Sequence, residues 1–355
     1  MLSLAGGLPD ATRFPREELA EISHRVMTAR SAEALQYGPT AGHASSRQAL
    51  RLLFDDPLLP DNIVVTSGSQ QGLDLVTRVL VDPGDVVVVS DPDYLGALQV
   101  FQGCGAQLAP ISIDADGLKT DQLESELQWG LRPKACYLVP HFHNPTGATM
   151  TAERRAHLNE LASRYGFVII EDDPYRMLRY DGLASSEHLG DPQLTVRLRS
   201  TSKVLAPGLR VGALTGPKWL LDAAVTAKQA VDLHTSGLTQ AIAAEALRAP
   251  WFSDHLDMLR RTYVCKRDVL VDALRDEFST VEFTVPMGGM FVWARFPDVA
   301  DTTAWLQRCL GIGVCFVPGK AFVVAGPLDS YARLSFATAS DTDLRVAIDR
   351  MKSAV

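Results

Sequence analysis

The segment TAERRAHLNELASRYGFVIIEDDPY (151–175) decides the fold. Its first part, 151–166, reads as an amphipathic helix. FVIIEDD (167–173) then reads as a short, continuously apolar strand that runs straight into three carboxylates. The same unit recurs along the chain. NIVVTSG (62–68), DVVVVSDP (85–92), ACYLVP (135–140) and VGALTG (211–216) are further strand-like runs, and QQGLDLVTRVL (70–80) is another amphipathic stretch. Continuous apolar strands alternating with helices predict an α/β fold with a parallel sheet covered on both faces. In such sheets ligands gather at the carboxyl ends of the strands. The polar sequences TSGSQQG, SDPDY, HNPTG, EDDPY and STSK sit there.

Beyond this region the pattern changes. Residues 217–276 read as mainly helical, with a long stretch from Trp251 to Phe278 linking two parts of the molecule. VEFTVP (281–286), GMFVWARF (289–296), VCFVP (314–318) and YARLSFA (331–337) read as strands, with helices near 301–310 and 341–353. A smaller α+β unit is expected here. The length of 355 residues suits a large α/β domain with a smaller partner. A hydrophobic content of 46% against 21% charged residues excludes disorder as a description of the whole chain. The net charge of −8 argues against a nucleic-acid binder. The N-terminal residues lack a basic, apolar leader, and no run approaches the ~18 apolar residues that span a bilayer. Five cysteines, scattered and without a C-x-x-C pair, predict a reduced, cytoplasmic protein without a cysteine-based metal site.

Four constellations can carry chemistry. SGSQQGLD (67–74) is a strand–turn–helix junction. Its N–H groups, with Ser69 and Gln70, suit an anion, though a simple helix cap has the same form. HNPTG (143–147) presents Asn144 at a sheet edge or is only a turn. In EDDPY (171–175), Asp172 and Tyr175 are spaced to meet one ligand, or the acids form a solvated strand end. Burying three carboxylates demands a cation nearby. STSKVLAPGLRVG (200–212) holds Lys203, one of eight lysines, among hydroxyls and small apolar residues. A desolvated lysine is nucleophilic, as Schiff-base chemistry requires, whereas a surface loop lysine is not. Ser200, Ser202 and Arg210 would add phosphate ligands. The pair His141 and His143 lacks partners for a metal pattern, so no metal is expected.

In this order the motifs resemble the class I/II aminotransferases of fold type I, which use pyridoxal 5′-phosphate. The nearest likeness is to the 2-aminoadipate aminotransferase-like group and the effector domains of MocR-type regulators. The likeness rests also on LAGGLPDATRFP (4–15), LQYGPTAGHASSRQAL (35–50), GGMFVW (288–293) and ARLSFA (332–337). It implies a large domain over 39–250 with a mostly parallel seven-stranded sheet between helices. A small α+β domain would come from 1–38 and 251–355. It implies an amino-group transfer between an L-amino acid and a 2-oxo acid by a ping-pong mechanism. Lys203 would hold the cofactor as an internal aldimine, and Asp172 would face the pyridine nitrogen. Asn144 and Tyr175 would bond the ring 3′-oxygen, and Tyr94 would stack on the ring. Ser69, Gln70, Ser200, Ser202 and Arg210 would hold the phosphate. Arg333 would pair with the substrate carboxylate, with Gly7 lining the substrate side. Tyr37 would reach the phosphate of a neighbouring subunit, which requires a homodimer with shared active sites.

Two departures from the group stand out. Longer members carry a covering segment before the GGLP motif. After Tyr37 the chain reads TAGHASSRQAL, where the group more often has an acidic residue and a Leu-Pro pair. Arg13 and His43 are then candidates for substrate side-chain contacts, or are surface residues. Elimination, cyclisation, decarboxylation or oxidase chemistry, and a cofactor-binding sensor, are the competing functions.

Overall fold

The computed structural model describes residues 1–54, 62–182 and 191–355. The chain opens on β1 (Leu2–Ser3) and the helices α1 (Arg16–Ala29), α2 (Ser31–Ala34) and α3 (Ala44–Phe54). Strands and helices then alternate: β2 (Ile63–Thr66), α4 (Ser69–Leu80), β3 (Val86–Asp91), α5 (Leu95–Gly103), β4 (Gln107–Asp114), β5 (Gly117–Leu118), α6 (Thr120–Gln128), β6 (Ala135–Leu138), α7 (Ala152–Tyr165), β7 (Val168–Asp172), β8 (Thr195–Ser200), β9 (Gly212–Thr215) and α8 (Lys218–Val231). Helices α9 (Gly237–Arg248) and α10 (Trp251–Glu277) lead into β10 (Glu282–Phe283), β11 (Phe291–Arg295), α11 (Thr302–Gly311), β12 (Val314–Cys315), β13 (Val317–Pro318), β14 (Tyr331–Ser335) and α12 (Asp341–Ser353).

The unit that opened the sequence reading forms as expected. The Thr151 side chain accepts from the Arg154 N–H and starts α7. Gly166, at φ 75°, ends it in the left-handed conformation that glycine adopts most readily. Leu158, Leu161 and Ala162 are buried on α7, and β7 is buried at all five positions. Strands β2, β6 and β9 are also buried throughout. That is the pattern of strands covered on both faces.

Among the described residues the larger sheet runs β2-β9-β8-β7-β6-β3-β4-β5. Pairs β3–β4, β3–β6, β6–β7 and β7–β8 are parallel, whereas β9 is antiparallel to both β2 and β8. The seven expected strands are thus joined by an eighth, the two-residue β5, antiparallel to β4. Two strands had no individual signal. β4 contains Pro110 and is mostly part-buried, so its apolar run is broken. β8 (TVRLRS) carries Arg197 and Arg199, yet all six of its residues are buried.

The smaller sheet has the order β10-β11-β14-β13, and all its pairs are antiparallel. Trp305 of α11 anchors it, with ring centroids 4.8 Å from Phe296, 5.0 Å from Phe316 and 6.0 Å from Phe278. VCFVP splits at Phe316, so β12 and β13 join different sheets. β12 pairs in parallel with β1, and the Ser335 N–H donates to Leu4 O at 2.7 Å. The N-terminal residues are therefore stitched beside β14, and Ala5–Leu8 passes over the carboxyl ends of the large sheet's strands. Among the described residues no helix is long and apolar enough to cross a membrane.

Candidate active site

Strand geometry sorts the three consecutive carboxylates at the end of β7. Glu171 and Asp173 point to one face, Asp172 to the other. Glu171 pairs with Arg155 at 2.6 Å and Arg197 at 3.1 Å. Asp173 pairs with Arg199 at 2.8 Å and His141 at 3.0 Å. Burial alone would raise both acids. Arg155 and Arg197 outweigh it at Glu171, and His141 and Arg199 at Asp173, so both are held below the usual carboxylate range. Asp172 forms no ion pair among the described residues. Its Oδ2 accepts from the Tyr137 hydroxyl at 3.2 Å, and its Oδ1 is buried with no hydrogen-bond partner. Burial pushes this carboxyl up to about 7, against the Tyr137 hydrogen bond.

Asp172 lines a cavity of about 540 Å³ at the carboxyl ends of the strands. The loops after β2, β3, β6, β7 and β8 supply most of its wall, as the topology predicts. Lys203 lies there, and its Nζ donates to Gly7 O at 2.7 Å. Burial, aided by the charge of Arg210, brings the amine down to about 8. Ser69, Gln70, Ser200, Ser202 and Arg210 line the same cavity. Ser200 Oγ donates to Ser202 Oγ at 2.9 Å, which draws these two hydroxyls together. Arg210 takes a left-handed conformation at φ 53° and its Nη2 donates to Ser67 O at 2.9 Å. Gly68, at φ 87°, makes room for it, since a Cβ there would collide with the guanidinium. Gly68, not Ser69, occupies the cap position of α4, so the Ser69 hydroxyl is not used as a cap.

The remaining wall is held by the smaller sheet and the N-terminal segment. Arg333 of β14 donates to Asn144 Oδ1 at 2.7 Å and to Ala5 O at 2.5 Å. Its guanidinium lies 4.2 Å from the Phe291 ring centroid and 4.9 Å from that of Phe322. Its Nε is buried with no hydrogen-bond partner. Asn144 also bonds the Tyr175 hydroxyl, whose acidity burial suppresses. The Tyr94 hydroxyl donates to Gln70 Oε1 at 3.3 Å.

Of the residues singled out in the sequence, Gly7, Ser69, Gln70, Tyr94, Asn144, Asp172, Tyr175, Ser200, Ser202, Lys203, Arg210 and Arg333 all line this one cavity. Tyr37, Arg13 and His43 do not. Tyr37 is 79% exposed and meets His234 edge-on at 5.9 Å. Arg13 is exposed at the end of a short helical turn. His43 faces Glu33 at 3.4 Å. His141 and His143 each contact an aspartate, Asp173 and Asp93 respectively. Asp93 also accepts from the Tyr94 N–H at 2.7 Å, so His143 and Asp93 connect the HNPTG loop to Tyr94. The motif SDPDY contained Asp93, but nothing in the sequence marked it as buried. Phe322 had no sequence signal; only the fold puts it beside Arg333.

The family model for aminotransferase class I and II matches residues 5–351. An aromatic-amino-acid aminotransferase from Thermococcus litoralis is 38% identical, covering 100% of this chain and 88% of the relative. The structure is similar to an α-aminoadipate aminotransferase from Thermus thermophilus, complexed with N-(5′-phosphopyridoxyl)-L-leucine. There the TM-score is 0.94 and the identity 36%, over 100% of this chain and 92% of the other. A Pyrococcus horikoshii kynurenine aminotransferase gives a TM-score of 0.95 and 38% identity, over 100% and 90% of the two chains.

Proposed function

The chain belongs to the class I and II aminotransferases, and on that premise we propose that Lys203, Asp172 and Arg333 carry its chemistry. The protein is a pyridoxal 5′-phosphate-dependent aminotransferase that exchanges an amino group between an amino acid and a 2-oxo acid. One observation supports the residue assignment above all. The unpartnered oxygen of Asp172 is buried in the wall of the cavity that also holds Lys203 and Arg333. A buried carboxylate without a cation destabilises the fold unless a bound group supplies the missing positive charge.

The donor set fits the cofactor. We assign the phosphate to Ser69, Gln70, Ser200, Ser202 and Arg210, the ring face to Tyr94, and the ring 3′-oxygen to Asn144 and Tyr175. Lys203 is assigned the covalent link. When bound, the cofactor supplies an aldehyde for the amino group and a ring that accepts the electron pair left by the departing α-proton. Asp172 holds a proton at the ring nitrogen. Lys203, its amine brought down to about 8, is neutral in part near physiological pH and can take the α-proton and return it at the neighbouring carbon. Arg333 offers its free Nε and a second Nη hydrogen to the substrate carboxylate, a two-point grip that orients the α-hydrogen. Phe291 and Phe322 shield that guanidinium from water.

For the substrate side chain the wall offers Leu8, Leu95, Val317 and Phe322, with Gln99 as a polar group. Among the described lining residues the cations are Lys203, Arg210 and Arg333, each already assigned. We therefore assign an apolar or aromatic amino acid to one half-reaction, in line with the name of the T. litoralis relative. Exposed Tyr37 is assigned to the phosphate of a second copy in a homodimer. Residues 39–250 are taken as the large domain, with 1–38 and 251–355 as the small one. We place the enzyme in the cytoplasm, where its five scattered cysteines stay reduced.

The test combines labelling with turnover. Borohydride treatment of the cofactor-loaded protein should fix the cofactor's mass on the peptide holding Lys203. A panel of amino acids should release 2-oxo acids, with apolar and aromatic donors giving the higher kcat/KM. Lys203→Ala should lose at least about 10³-fold in turnover. A label on another residue, or a panel returning no 2-oxo acid, defeats the assignment.

A further inference from the structure

Behind the wall of the cavity lies a second ionic cluster, which takes no part in the chemistry above. Lys228 of α8 is fully buried. Its ammonium donates to Gln71 Oε1 at 2.9 Å, to Asp232 Oδ1 and Oδ2 at 2.7 and 2.8 Å, and to Thr235 Oγ1 at 3.2 Å. Three N–H donors thus meet three acceptor side chains. Gln71 Nε2 donates in turn to Asp232 Oδ2 at 2.7 Å. This closes a ring of Lys228, Gln71 and Asp232.

The ring reaches toward the site through Ser67. Gln71 Oε1 also accepts the Ser67 N–H at 2.8 Å. On the other side of that residue, Ser67 O accepts from Arg210 at 2.9 Å. The Ser67 hydroxyl donates to Asp232 Oδ2 at 3.3 Å. Ser67 is therefore gripped from both ends, by the buried cluster at its N–H and by Arg210 at its carbonyl. It sets the position of Gly68 and the first turn of α4, where Ser69 and Gln70 begin.

We propose that Lys228 is a positioning residue for anion binding, holding Gln71 so that the Ser67–Gln70 turn and Arg210 keep the spacing a phosphate requires. Lys228 does not line the cavity, so it acts through Gln71 and not by contact. The proposal rests on the assignment of Ser69, Gln70 and Arg210 to the cofactor's phosphate.

The test compares ligands with and without a phosphate. Cofactor-free wild type and Lys228→Met are titrated with pyridoxal 5′-phosphate, pyridoxal and inorganic phosphate, and their melting temperatures are recorded. The variant should bind pyridoxal 5′-phosphate and inorganic phosphate at least tenfold more weakly, with pyridoxal affinity unchanged. At saturating cofactor, the KM for the amino acid should stay within twofold. A loss shared equally by pyridoxal, or no loss for the phosphorylated ligand, overturns the role of Lys228. Should Lys228→Met fail to fold, Gln71→Leu leaves the Lys228–Asp232 pair and carries the same comparison. Wild-type protein that binds neither pyridoxal 5′-phosphate nor phosphate would overturn the site assignment itself, a result distinct from a variant that matches wild type.

Discussion

Glu171, Asp172 and Asp173 are consecutive and all buried, yet only the two outer acids meet arginines. The middle one is raised to about 7 from 3.8, with burial as the largest cause. A carboxyl whose native pKa lies above its unfolded value binds more protons in the native state across that interval. Stability of the cofactor-free protein is therefore drawn down as pH rises from about 4 toward 7. Asp172→Asn keeps an acceptor for Tyr137 and removes the charge. In the cofactor-free form it should melt higher than wild type, and the gap should widen from about pH 4 to about 7 and level off above that. The same variant should lose transamination by at least about 10²-fold, since the ring nitrogen loses its anionic partner. A gap independent of pH would show that Asp172 is neutral or paired. The three-acid run was visible in the sequence, as was its need for a cation. Which acid would go without one was not, because that depends on the strand's facing.

Strand β8 shows how an element escapes recognition and still carries the site. Its arginines alternate with apolar residues, a pattern that in isolation suggests a wet face. Instead Arg197 reaches across to Glu171 of β7, opposite it in register, and Arg199 to Asp173 just beyond that strand. This pairing lets the carboxyl end of β7 be buried beside Asp172 and delivers Ser200 and Lys203 to the cavity. Removing one member strands a buried charge. Arg199→Leu should destabilise the protein by about 3–5 kcal/mol in denaturant unfolding. Adding Asp173→Asn should recover most of that loss. An additive double variant would mean that the two side chains act independently.

For the whole molecule, the cavity is closed by segments far apart in the chain. β1 pairs with β12 and so brings Ala5 and Gly7 to Arg333 and Lys203. Tyr37 is exposed and is not among the residues lining this cavity, and its proposed role lies in a second copy. Tyr37→Ala should weaken cofactor binding without altering substrate KM. A mixed dimer of Tyr37→Ala with Lys203→Ala should retain about half of one subunit pair's activity, because one of its two sites is left whole. Sedimentation as a monomer at working concentration would remove that role. The amino-acid sequence alone determined the alternation of helix and strand, the α/β class and most of the residues around the cavity. Local periodicity and turn chemistry are short-range and account for the elements and for the polar strand-end motifs, whereas Gly7, Tyr94 and Arg333 came only with the resemblance of the motifs to a known family. Only the tertiary structure decided which acid stays unpaired, that β8 is buried, that Phe322 flanks Arg333 and that Lys228 and Ser67 meet on Gln71. Each of these depends on contacts between residues remote in the chain, where burial and pairing are settled jointly and no single segment carries the signal.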